Sequence, residues 1–148
     1  MPALEEHSVT LGVQNHCDSF VPNALGLRAL LQDLPSEYLA AVWDAAHEAL
    51  VGTLATYALD IIWDRLCMVN LKNGFWRRGN GPEAEQAVWE HYWTDGANGL
   101  ADWSVVAAEL KRRAYHGVVC LTAEYSDREI LDRLIARDLA YAKELFGD

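Results

Sequence analysis

The sequence predicts an α/β fold: four parallel strands joined by crossover helices. Three observations carry that prediction. Short apolar runs alternate with segments of helical periodicity four times over, the pattern of parallel strands with crossovers. The apolar runs are nearly continuous instead of alternating, as when both faces of a sheet are covered. Each run also ends in hydrogen-bonding or ionisable side chains, at the strand end where parallel α/β folds carry their sites.

In chain order, "VTLGVQNH" (9–16) is the first strand, and "NALGLRALLQDL" (23–34) is a helix closed by Pro35. "YLAAVWD" (38–44) is the second strand, and the amphipathic "EALVGTLATYALDIIWDRL" (48–66) reads as one helix. "CMVNLKN" (67–73) is the third strand. A Gly- and Trp-rich segment, "GFWRRGNGPEAEQAVWEHYWTDGANGL" (74–100), precedes the helix "DWSVVAAELKRRAY" (102–115). "GVVCLTAE" (117–124) is the fourth strand. "SDREILDRLIARDLAYAKELF" (126–146) is the last helix, with Ser126 or Asp127 as N-cap and Glu129 in the first turn. No Pro/Ser linker or low-complexity tract interrupts the chain, so 1–148 reads as one domain. An open doubly wound sheet and part of a (β/α) barrel both satisfy this order. No Gly-rich phosphate loop follows the first strand, which weighs against a dinucleotide-binding sheet.

Composition sets the outer limits. Of 148 residues, 51% are hydrophobic and 23% charged, with six Trp, which suffices for one packed core. The formal net charge of −10 disfavours nucleic acid and anionic membrane as partners, since both attract positive surfaces. The clusters Arg77-Arg78 and Lys111-Arg112-Arg113 are too short to reverse it. No apolar stretch has transmembrane length, and "MPALEEHSV" lacks the apolar core of a secretion signal. Cys17, Cys67 and Cys120 are odd in number and widely spaced, so a reducing cytoplasm is the expected location.

The strand ends carry the candidate site: Gln14, Asn15 and His16; Asp44 and His47; Asn70 and Lys72; Glu124. Parallel strands would bring these groups to one mouth. Asp44 has two readings, a cap for the following helix or a charge held in the mouth for chemistry. Either would supply the partner that a buried carboxylate needs.

On these residues the chain resembles the xylose isomerase-like TIM-barrel superfamily of sugar phosphate isomerases and epimerases. "LGVQNH" looks like the family's fifth strand, which ends Glu-Asn-His, and "VWDAAH" is similar to the sixth-strand Trp-Asp-x-x-His motif. "MVNLKN" matches the seventh-strand His-Leu-Lys-Asp region. "GLADWSVVAAELKRRAYHGVVCLTAEY" looks like the last helix and eighth strand, ending on the family's Glu. The resemblance spans nearly the whole chain and implies a (β/α)4 half of a TIM barrel, because a complete barrel needs about 250 residues. Half a barrel leaves strand edges bare. The chain is then a fragment, a natural remnant or a half that pairs with itself, and a two-fold homodimer completing eight strands is the expected form.

In the family one divalent ion is held by Glu, Asp, His and Glu from strands five to eight. The matching positions are Gln14, Asp44, Asn70 and Glu124, so two carboxylates remain and two ligands become neutral amides. Amide oxygens suit hard ions, and the imidazole preferred by transition metals is missing; the resemblance therefore implies magnesium or manganese ahead of zinc, weakly held. Family epimerases also use the glutamates of strands five and eight as acid and base beside a carbonyl. Gln14 cannot titrate, which leaves Glu124 as base with His47 as its counterpart. His16, Asn15, Lys72 and Arg77 are expected on the oxygens of a small sugar or keto-polyol. One-base isomerisation or dehydration survives the loss of the first glutamate, and symmetrical two-base epimerisation does not. The alternative is a non-catalytic or truncated half-barrel that binds a small ligand or partner through the same mouth.

The 74–100 insert is too long for an ordinary connection. Trp89 and Trp93, four apart beside Gln86, read as one face of a short packing helix. The other reading makes Trp76 and Arg77 a wall over the substrate, the ring against a sugar and the guanidinium fork on anionic oxygens.

Overall fold

The computed structural model describes residues 2–147. Its elements begin with α1 (Pro2–His7), β1 (Leu11–Gln14), α2 (Ala24–Leu31), β2 (Leu39–Asp44), α3 (Ala45–Leu50) and α4 (Ala55–Ile62). There follow β3 (Leu66–Leu71), β4 (Asn73–Arg78), β5 (Trp89–Thr94), α5 (Trp103–Arg112), β6 (Val118–Leu121) and α6 (Leu131–Phe146). Strands β1, β2, β3 and β6 form one sheet in that order, and every neighbouring pair is parallel. The expected α/β fold of four parallel strands with crossover helices is what the chain adopts.

Side-chain alternation divides the sheet into two faces. Leu39, Ala41 and Trp43 of β2 and Val69 and Leu71 of β3 pack against Leu27, Leu31, Leu59, Ile62, Val106 and Leu110 of the covering helices. Each leucine, isoleucine or valine among them stabilises the fold by about 1.5–3 kcal/mol when fully buried. The other face carries Gln14, Asp44 and Asn70, with Asp44 and Asn70 directly paired across β2 and β3. A Cβ on Gly12 would lie 2.6 Å from Val42 Cγ2, so glycine is what lets β1 lie close to β2 on this face.

Three local readings are corrected. The helix expected over 48–66 is broken: Gly52 takes φ 80°, and α3 ends before α4 begins. The turn is closed by Gly52 N–H donating to Ala49 O at 3.0 Å and Thr53 N–H to Glu48 O at 3.2 Å. The last helix starts at Leu131, not at Ser126, and lacks a side-chain cap. Ser126 is held elsewhere, its Oγ accepting from Trp93 N at 2.9 Å and its N–H donating to Trp93 O at 3.0 Å. The insert forms no helix; β4 and β5 make an antiparallel hairpin. A spacing of four puts Trp89 and Trp93 on one face of a strand as well as of a helix. The short α1, which no sequence signal marked, buries none of its residues. Among the described residues no helix is long and apolar enough to cross a membrane.

Candidate active site at the carboxyl ends of the strands

Asp44 caps the following helix and also lies at the strand ends. It is fully buried, and its Oδ1 accepts from Ala46 N at 3.0 Å and His47 N at 3.1 Å, capping α3. Its Oδ2 accepts from Gln14 Nε2 at 3.1 Å, so the same carboxylate also faces the strand ends. Burial raises its pKa from 3.8 to about 6, against the lowering influence of the His47 backbone N–H and the Lys72 charge.

Lys72 lies at the centre of the group. Its ammonium is 2.5 Å from Glu124 Oε2, 3.3 Å from His47 Nε2 and 3.5 Å from the centre of the Trp93 ring. The His47 ring meets His16 at 3.9 Å and the edge of Trp93 at 5.2 Å. Burial, then the Lys72 charge, lowers its pKa from 6.5 to about 3, so the imidazole is neutral at physiological pH. Gln14, Asp44, His47, His16, Lys72 and Glu124 are thus brought together. Asn70 stands beside Asp44, its Oδ1 buried without a hydrogen-bond partner among the described residues.

Two expected substrate contacts fall elsewhere. Asn15 is fully buried, its Oδ1 accepting from Asp44 N at 2.7 Å and its Nδ2 donating to Asp44 O at 3.2 Å. It ties the end of β1 to the end of β2 and has no group left for a ligand. Arg77 pairs with Glu90 at 3.6 Å and covers Tyr92, on the hairpin face opposite Trp76. Consecutive strand residues point to opposite sides, so Trp76 and Arg77 cannot share a wall. Trp76 keeps the mouth side, its Nε1 donating to Leu50 O at 2.9 Å and its ring packing on His91 at 4.3 Å.

Sequence reading missed Glu48 and His91. Glu48 is buried, and its Oε2 accepts from Ala24 N at 2.8 Å and Trp43 Nε1 at 3.0 Å, tying α2, β2 and α3 together behind the mouth. Burial raises its pKa. Its place directly after His47 in "VWDAAHE" was the available signal. His91 sits between the two Trp of β5, a position that only the strand reading turns toward the mouth.

The expected set for magnesium or manganese can be tested by its donors. Asn70 Oδ1 favours an ion, having no hydrogen-bond partner among the described residues. The rest do not. Both Asp44 oxygens accept hydrogen bonds, Gln14 directs its NH2 to Asp44, and Glu124 holds the Lys72 ammonium. In this arrangement Gln14, Asp44, Asn70 and Glu124 do not fit a divalent ion.

Parallel strands with polar carboxyl ends, backed by helices on one face, define half of a (β/α) barrel. The profile of the xylose isomerase-like TIM-barrel family matches residues 1–145, and the chain belongs to that family. A xylose isomerase domain protein from Planctomyces limnophilus superposes with a TM-score of 0.69 at 18% identity, over 95% of this chain and 46% of that one. A D-tagatose 3-epimerase-like protein gives 0.68 at 14%, covering 97% and 51% of the two chains. The IolI protein, whose structure contains a bound zinc atom, gives 0.66 at 13%, over 99% and 52%. The chain spans about half the length of these relatives. No curated protein matches it.

Proposed function

We propose that the mouth transfers a proton next to a carbonyl on a small sugar or keto-polyol, an isomerase-like reaction. The observation supporting this reading is the Lys72–Glu124 pair at 2.5 Å, with neutral His47 3.3 Å from the same ammonium. Glu124 takes the proton from the carbon beside the carbonyl. The C–H electrons become the enediolate double bond, and the carbonyl oxygen takes up the negative charge. Lys72 hydrogen-bonds that oxygen from a nearly dry position, where a fixed charge acts most strongly. Neutral His47 accepts a hydrogen bond from the Lys72 ammonium and holds it in place, and His16 and Trp76 contact the sugar from the rim. The neighbouring hydroxyl's proton passes to the former carbonyl oxygen, Glu124 returns its proton to the former carbonyl carbon, and the hydroxyl-bearing carbon becomes the new carbonyl; this one-base isomerisation needs no carboxylate at position 14.

D-tagatose in deuterated water tests this. The chain should place deuterium on a carbon adjacent to the carbonyl, detected by NMR, and Glu124→Gln should slow exchange by at least about a hundredfold. Absence of exchange with the unmodified chain defeats the reading.

One observation favours a second reading, a non-catalytic half-barrel that binds through the mouth or pairs with a second copy. The outer strands are bare, with Leu11 of β1 52% exposed and Val118 of β6 59% exposed. Two copies related by a two-fold axis would supply eight strands. Light scattering at micromolar concentration should then give a dimer mass, and a monomer rules the pairing out.

A further inference from the structure

We propose that Cys17, Asp18 and His91 form a site for a zinc-class transition-metal ion at the rim of the mouth, separate from the four family ligand positions. Cys17 Sγ lies 3.5 Å from His91 Nε2, and His91 Nε2 lies 3.3 Å from Asp18 Oδ1. The three donor atoms all fall within 4.8 Å of one another. Bonds of about 2.3 Å to sulfur and 2.0–2.1 Å to nitrogen or oxygen, at tetrahedral angles, put donors about 3.3–3.6 Å apart. Two of the three donor separations therefore already match coordination distances before any ion is added.

The donor set also matches the ion. A thiolate and a carboxylate neutralise a divalent charge, and thiolate with imidazole selects zinc or cobalt over magnesium. Three protein donors leave a fourth position for water or another ligand. Lys72 opposes a cation nearby, but its charge is answered by Glu124 at 2.5 Å. Packing holds His91 in place, its ring lying 4.3 Å from Trp76 and 5.3 Å from Trp93. On the other chain segment, His16 N–H donates to Val21 O at 2.9 Å and Ser19 N–H to His16 O at 2.9 Å, closing the turn that presents Cys17 and Asp18.

A second grouping, His16, Cys17 and His47, shares the thiol. Its imidazole rings pack on each other, 3.9 Å between centres with a 32° tilt, whereas ligands of one ion spread around it. Both nitrogens of His47 are also engaged, Nε2 with Lys72 and Nδ1 with Cys17, whose Sγ lies at 3.2 Å and whose N–H donates at 3.4 Å. The His91 side is the better built.

Cobalt(II), a coloured stand-in for zinc, tests the site without requiring turnover. One equivalent added to the chain should produce thiolate-to-cobalt charge-transfer absorption, which zinc abolishes and magnesium leaves alone. Cys17→Ser should remove the band. His91→Ala and Asp18→Asn should each weaken cobalt binding by at least about tenfold. Asp18→Asn guards against misfolding, because Asp18 is exposed. The proposal is overturned by no band at equimolar cobalt, by unchanged affinity in Asp18→Asn, or by dependence on His47 with indifference to His91.

Discussion

The Lys72 ammonium lies 2.5 Å from the Glu124 carboxylate, yet the two differ sharply in environment: the lysine side chain is 3% exposed and the glutamate 55%. The cation is fixed by the protein interior, and the anion reaches it from the edge of the mouth. Removing either partner therefore has unequal consequences. Glu124→Gln leaves a buried ammonium facing only a ring and a neutral imidazole, and should cost about 1–2 kcal/mol of stability. Lys72→Met keeps the chain length against Trp93 without a buried charge and should cost less. Urea unfolding of the two variants at pH 7 gives the order, and the reverse order contradicts this account of the pair.

Asp44 should make the fold less stable as pH rises. Its pKa is raised from 3.8 to about 6, so folding favours the protonated acid. That contribution is complete below about pH 3.8 and is lost as pH climbs through 6. Asp44→Asn keeps an oxygen for the α3 cap and carries no charge. It should match the unmodified protein at pH 4 and exceed it by about 2 kcal/mol at pH 8, in paired denaturation curves. Equal curves at pH 8 would mean that the charge is compensated.

His47 works in the opposite direction. Its pKa is lowered from 6.5 to about 3, so folding favours the neutral ring. The associated stability is full above pH 6.5 and declines as pH falls toward 3. A His47→Gln variant should show a shallower decline in melting temperature between pH 6 and 4. An unaltered slope would locate acid sensitivity elsewhere.

Restoring the family ligands should create a metal site where the present donors do not fit one. In Gln14→Glu/Asn70→His a new carboxylate meets Asp44, at a place where an amide now lies 3.1 Å away. The double variant should be less stable than the unmodified chain in chelator. Manganese should then raise its melting temperature by roughly 5 °C and leave the unmodified chain unaffected. Equal responses would show that the amides already hold the ion.

The strands and the convergence of their ends were legible because continuous apolar runs and terminal polar groups are local patterns. Other features depended on remote partners. Gly52 breaks a helix that periodicity favours, because the chain turns there through positive φ. Ser126 leaves its capping role because the Trp93 backbone offers two hydrogen bonds. Asn15 looks like a substrate ligand in the motif, but both ends of its amide are engaged by the Asp44 backbone.

The sequence by itself determined the alternation of strands and helices and the identities of the groups at the strand ends. It did so because burial imposes a period on neighbouring residues. Only the tertiary structure decided that His91, 74 positions beyond Cys17, comes within 3.5 Å of its sulfur. That contact follows from the hairpin folding back over the mouth, and its spacing is shared equally by a helix that would have turned His91 away.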